Sequence, residues 1–290
     1  MPEISFTPRK ETEKYSVQMN QSVVDILSVV FEFKLATSWQ IGRFLAQKDN
    51  SKYLYLKLRR MWKAHLMESF KVPAGSAVYY TLSRNGLQEL EKRGMSDTVQ
   101  ARRYSPLRAI SSSGLFEHEA QVVELASMEA RNSSASFGIT MKGETSSGSF
   151  DIRSSNSIES FTPDYTALYT IGARTFRVYS EYERAPKSKS AMAAKLERYS
   201  RHLNQEERSQ STVRFIFQTP NMERLFWRNI MENNAAVLEK LKIVTTNVSL
   251  LKRPEHFLEP MYAWAGGIKL KKVGRLEVEI GDRVKLFSFL

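Results

Sequence analysis

The chain has 290 residues, 42% of them hydrophobic and 11% aromatic, enough for one large domain or two of ordinary size, which excludes wholesale disorder. It contains no cysteine, which removes disulfide scaffolds, cysteine-ligated zinc, iron–sulfur sites and thiol catalysis, and it fits a reducing cytoplasm. The 43 Lys and Arg residues against 31 Asp and Glu leave +12 and a sequence pI near 9.7, so an anionic partner is expected, nucleic acid before a membrane surface.

No apolar run approaches the roughly 20 residues that span a bilayer. The segment from Met1 to Lys14 is polar and mixed in charge, without the apolar stretch of a secretory signal. A cytoplasmic location without membrane contact is expected.

Composition changes near residue 100, from a mostly helical pattern to short β-prone runs that dominate from Ser133 onward. A first helix is predicted over 17–33, where Val23, Ile26, Leu27, Val30 and Phe31 share one face. A short second helix begins near Ser38, a suitable N-cap, and carries Ile41, Phe44 and Leu45. A third runs from about Ser51 to Glu68. Two β-prone runs, at Phe70/Val72 and from Val78 to Leu82, flank Pro73-Ala74-Gly75-Ser76 and predict a hairpin. A last helix from Arg84 to Lys92 stops at Gly94, a natural residue just past a helix end. This is the order of a winged helix-turn-helix, assigned to residues 15–98.

The third helix carries the functional signal. Counting about 100° per residue from Leu54, the side chains of Leu58, Met61 and His65 fall on the same side, which makes His65 a core histidine. Lys52, Arg59 and Lys63 cluster opposite, with Arg60 beside them. Between Arg43 and Lys71 there are eight basic residues, namely Arg43, Lys48, Lys52, Lys57, Arg59, Arg60, Lys63 and Lys71. Only two acids, Asp49 and Glu68, accompany them, so a tenth of the chain carries half of its net charge. A merely solvated helix mixes signs for pairing one turn apart. An unbalanced row instead suits a helix in the major groove of double-stranded DNA, with phosphate contacts on its flanks and from Lys71 on the hairpin. All eight are candidate DNA-binding residues.

Val99 to Ser113, with Pro106, several arginines and a serine run, reads as a linker. Beyond it, 114–290 form a second domain. An amphipathic helix is expected from Leu115 to Arg131, then strands at Ser136–Lys142, Gly148–Ser154, Phe161–Ile171 and Thr175–Glu183. A helix from Ser188 to Leu203 precedes an apolar strand at Val213–Gln218, a helix from Met222 to Asn233 and a strand at Ile243–Thr246. The fold class is therefore α+β, with an α/β sandwich following the helical half.

In that domain Asp164 opens one strand and Glu181 and Glu183 close the next, a spacing that lets acids from two strands converge. Hard oxygen ligands of this kind hold Mg²⁺ in phosphodiester hydrolysis. Val78-Tyr79-Tyr80-Thr81-Leu82-Ser83-Arg84-Asn85-Gly86, the helix near His118, Thr162-Pro163-Asp164, Glu181-Tyr182-Glu183 and Lys195-Leu196-Glu197-Arg198-Tyr199 occur in an order that resembles the replication-relaxation family. The resemblance covers roughly residues 20–220. It implies a plasmid or mobile-element protein with a winged helix joined to a PD-(D/E)xK-nuclease-like domain, that is, a restriction-endonuclease-like fold. It also implies an accessory role in bacterial replication, relaxation or mobilisation at the nucleoid or plasmid, beside a relaxase or replication protein.

The chain departs from the nuclease pattern at its lysine. The position two residues after Glu181 is Glu183, and two after Glu183 is Ala185. Arg184 points to the other strand face and stays protonated. Lys195 either substitutes for a migrated lysine or salt-bridges Glu183, and Glu119 is a further candidate ligand. The catalytic set Asp164, Glu181, Glu183 and Lys195, with Mg²⁺ on Asp164 and Glu181, therefore applies only to an active domain. The expectation is a degenerate domain without cofactor. The alternatives are a metal-dependent nicking endonuclease and a winged-helix transcriptional regulator, and a homodimer is compatible with each.

Other sites are poorer. The four histidines lack ligand spacing, and no Walker loop or Gly-x-Ser-x-Gly elbow occurs. Phe226, Trp227, Tyr262 and Trp264 read as core, and Gly266 to Lys272 as a small basic patch.

Overall fold

A computed structural model of the protein describes residues 5–7, 16–45, 52–72, 77–95, 104, 113–134, 137–145, 150–154, 157–203, 210–233, 235–273 and 275–286. Lys48, the hairpin tip at 73–76 and the expected linker, apart from Tyr104 and Ser113, lie outside them. The chain is α+β and divides into two units. The first is Met1–Arg131 with Lys142–Ser146, and the second is Asn132–Met141 with Ser147–Leu290.

In the first unit, helix α1 (Gln21–Phe33) starts later than its apolar period suggests, because the Asn20 side chain accepts the Val23 N–H and caps it. Its buried face holds Val23, Ile26, Leu27, Val30 and Phe31. Helix α2 (Ser38–Phe44) is capped by Thr37, one residue before the expected Ser38. The Thr37 hydroxyl accepts the Gln40 N–H while the Gln40 side chain accepts the Thr37 N–H.

Helix α3 (Lys52–Lys63) ends five residues earlier than expected. His65 takes a left-handed φ of 58°, and the Leu66 N–H turns back to the Met61 carbonyl, which closes the helix. His65 is thereby exposed, not a core histidine on the apolar face. Strands β3 (Met67–Lys71) and β4 (Val78–Leu82) pair antiparallel from Met67 opposite Leu82 to Lys71 opposite Val78. Two short strands missed by the sequence reading, β1 (Ser5–Phe6) and β2 (Ala36–Thr37), flank them in the order β1-β3-β4-β2.

Helix α4 (Arg84–Glu91) is capped by Ser83 and followed by Gly94 at φ 65°. Gly86 lies directly on the Leu66 carbonyl, and a Cβ there would collide with that oxygen. Gly86→Ala is expected to cost about 2 kcal/mol through forced backbone displacement, read as a lowered midpoint in thermal unfolding. A substitution without effect would mean the turn after α3 yields freely. Tyr104 fastens the same region: its ring stacks on Phe31, and its hydroxyl accepts the Leu82 N–H and donates to the Lys34 carbonyl.

Helix α5 (Ser113–Ala130), which the sequence reading assigns to the second domain, falls within the first unit. Phe116 meets Phe70 and Tyr79 edge-on, and Glu124 accepts from Gln40 and Arg43. Aromatic and charged side chains more than 35 residues apart in sequence decide this placement.

The second unit is built on a six-stranded mixed sheet. Strand β5 (Phe137–Gly143) is at one edge; β6 (Phe150–Ser154) and β7 (Ser157–Phe161) form a separate antiparallel pair. The single strand expected over 161–171 is divided, since Thr162 and Pro163 separate β7 from β8 (Tyr165–Ile171) and proline cannot donate to a ladder. Strand β9 (Arg174–Glu183) pairs antiparallel with β8 and parallel with β10 (Ser211–Phe217). Strand β11 (Ile243–Asn247) runs parallel to β10, and β12 (Ala263–Trp264) closes the order β12-β11-β10-β9-β8-β5.

Helices α6 (Lys189–His202) and α7 (Pro220–Asn233) cover one face of this sheet. Tyr179, Val213, Phe215 and Phe217 meet Leu196, Tyr199, Phe226 and Trp227 there. Phe226 and Trp227 are buried, whereas Trp264 is 38% exposed and not core. The buried Glu223 carboxylate accepts from Thr245, Asn247 and both terminal nitrogens of Arg283, which ties the C-terminal segment to α7. A short helix α8 (Val237–Lys240) precedes β11, and β13 (Ile268–Val273) pairs with β14 (Arg275–Ile280). That register sets Lys269 opposite Glu279, so the small basic patch of the sequence has acids across the ladder.

Candidate functional site

Helix α3 buries Leu54, Leu58 and Met61 and turns the other side to solvent. On that outward side Lys52, Arg59 and Arg60 are exposed, and none of the three makes an ion pair among the described residues. Lys63 is half-buried at the helix end, where it and Arg60 also complement the negative end of the helix dipole. Lys71 is exposed at the end of β3. Three further residues share the outward side: Tyr53 is 82% exposed, Tyr55 55% and Leu56 41%. The sequence reading did not single them out, although their angular distance from Leu54 on the helix was a usable signal.

Two further candidates, Arg43 and Lys57, are engaged within the chain, and Lys48 lies outside the described residues. The Arg43 guanidinium donates to Glu124 at 2.6 Å, lies over the Trp39 ring at 5.8 Å, and its side chain is only 14% exposed. The Lys57 ammonium donates to the Ser22 hydroxyl of α1 at 2.7 Å. Both cations therefore hold helices together. The outward row comprises Lys52, Arg59, Arg60 and Lys63, with Lys71 beyond it.

The second cluster lies where β9 meets α6. Alternation along β9 turns Glu181 and Glu183 to the same side, and both are 3% exposed. Lys195, two turns into α6, donates to Glu181 at 2.7 Å and to Glu183 at 2.8 Å. Tyr199, one turn further, donates to the other Glu181 oxygen at 2.7 Å. Lys187 donates to the Glu183 oxygen that Lys195 also uses. Asp164, just before β8, accepts the Tyr182 N–H at 2.6 Å.

Burial pushes the Glu181 carboxyl above its ordinary range, Lys195 opposes that rise, and the Asp164 charge adds to it. Burial alone would lower the Lys195 ammonium, but Glu181, Glu183 and Asp164 outweigh it and raise its pKa. Tyr199 is held well above the usual tyrosine range, by burial first and by the Glu181 charge second.

This arrangement brings all four nuclease-motif candidates together, yet it does not fit a divalent cation. Both Glu181 oxygens, one Glu183 oxygen and one Asp164 oxygen are engaged by Lys195, Tyr199, Lys187 and the Tyr182 N–H. Among the described residues no three acid or histidine side chains converge as a cation site. Glu119, the other candidate ligand, pairs instead with Lys34 at 3.1 Å in the first unit, where Glu144 also contacts Lys34. Among the described residues no helix is long and apolar enough to cross a membrane. Comparison with family models, with curated proteins and with solved structures finds no match to this chain.

Proposed function

We propose that the protein binds double-stranded DNA through α3 and the hairpin that follows it, as a winged helix-turn-helix. The observation that carries this reading is the outward side of α3, where Lys52, Arg59 and Arg60 are exposed and make no ion pair among the described residues, while the opposite side is seated in the core. Such a row releases counterions when it meets phosphates. Lys71, on the strand leading to the hairpin tip, supplies a flanking contact. In line with the resemblance to the replication-relaxation family, the biological role is accessory, in plasmid or mobile-element replication, relaxation or mobilisation.

The second unit supports that role without hydrolysis, as a nuclease-like domain whose acids are neutralised by Lys195. Assembly or an additional DNA contact is the function that remains open to it. A fluorescence-anisotropy titration of the full chain on a duplex, repeated across salt concentrations, tests the reading. Affinity is expected to fall linearly on a log–log salt plot with a slope of about −0.9 per phosphate contacted. Binding without salt dependence, or no binding, would refute it. Supercoiled plasmid incubated with the protein and Mg²⁺ is expected to stay intact; nicking that disappears in Asp164→Ala would restore the endonuclease alternative.

A further inference from the structure

We infer that α3 recognises thymine methyl groups through Leu56, an inference that rests on the DNA-binding reading above. Leu56 is 41% exposed and is not among the buried hydrophobic residues of its unit. Around the helix axis Lys52, Arg59, Arg60 and Lys63 all lie within about 60° of it. It is thus the aliphatic centre of a cationic ring, with Tyr53 and Tyr55 on either side.

A single exposed leucine is ordinary on a protein surface, but its position here has a consequence. When the surrounding cations reach phosphates on both walls of a groove, the residue between them meets the base edges. A leucine has no hydrogen bond to offer there. The one apolar group that the major groove presents is the C5-methyl of thymine. Lysine and arginine contacts to phosphate fix position and carry no sequence information, so with the cations on the groove walls the contact to the base edges falls to Leu56 between them.

The test begins with selection of preferred duplexes from a random library by the full chain, followed by replacement of each thymine with deoxyuridine, which lacks only that methyl. Wild-type affinity is expected to fall about fourfold for each contacted methyl. Leu56→Ala is expected to bind the thymine and uracil duplexes equally, with the salt slope of the wild type. Because Leu56 is exposed, its thermal midpoint should also match the wild type. Equal wild-type affinity for both duplexes, discrimination retained by Leu56→Ala, or salt-dependent binding without any selected preference would each overturn the inference while leaving DNA binding intact. Absence of binding to every duplex would overturn both.

Discussion

Arg59→Ala/Arg60→Ala/Lys63→Ala is expected to weaken duplex binding by more than about 100-fold near physiological salt and to flatten the salt slope by about two to three units. The size of the effect follows from counterion release, because each phosphate left unneutralised keeps its condensed ion. Arg59 and Arg60 are exposed, so their truncation removes little packing. Lys63 is half-buried, and the circular-dichroism melt of the triple variant should accompany the titration. A second variant, Lys57→Ala, separates charge from architecture. Lys57 is engaged with Ser22 and points away from the outward row. It is expected to leave the salt slope unchanged. A triple variant that binds with the wild-type slope would place the DNA contact elsewhere in the molecule.

Lys195→Met is expected to destabilise the second unit by about 3–5 kcal/mol, because two nearly buried carboxylates lose the ammonium they share. The loss should depend on pH. Burial already holds the Glu181 carboxyl above its ordinary range with Lys195 present, and removal of that cation raises it further. A carboxyl whose folded pKa exceeds its unfolded value contributes stability below the unfolded value and loses it as pH rises through the folded one. Urea denaturation should therefore find the variant weakest near about pH 8 and partly restored near about pH 5. Adding Glu181→Gln should recover much of the loss at the higher pH and remove part of the pH dependence. A single variant as stable as wild type at both pH values would show that the cluster relaxes into water.

These two expectations draw on different kinds of legibility. The cationic row was readable because it depends on one helix alone: a period of 3.6 residues, the apolar positions Leu54, Leu58 and Met61, and a missing set of acids. The hairpin between Met67 and Leu82 and the start of α4 at Arg84 are local in the same sense. The place where α3 stops was not readable in this way. His65 fits the apolar stripe by angle, but its backbone turns left-handed to start β3, and the stripe ends with the helix.

Arg43 shows the second limit. In sequence it is one more cation in an unbalanced run, and its carboxylate partner Glu124 lies 81 residues away. Glu119, a candidate ligand by its position before the sheet, is drawn to Lys34 for the same reason. At the acidic cluster the sequence identified Asp164, Glu181, Glu183 and Lys195 and left two roles for the lysine. The packing of α6 on β9 sets the Lys195 Nζ within hydrogen-bond distance of both glutamates, a contact that no pattern of neighbouring residues encodes.

By itself, then, the order of residues determined which segments coil, which extend, and where positive charge accumulates, since those follow from neighbours a few positions apart. Which charges remain outward was decided only by the tertiary structure. Ion pairs between distant residues form when packing brings them within about 4 Å and removes the water between them, and no local pattern encodes that distance.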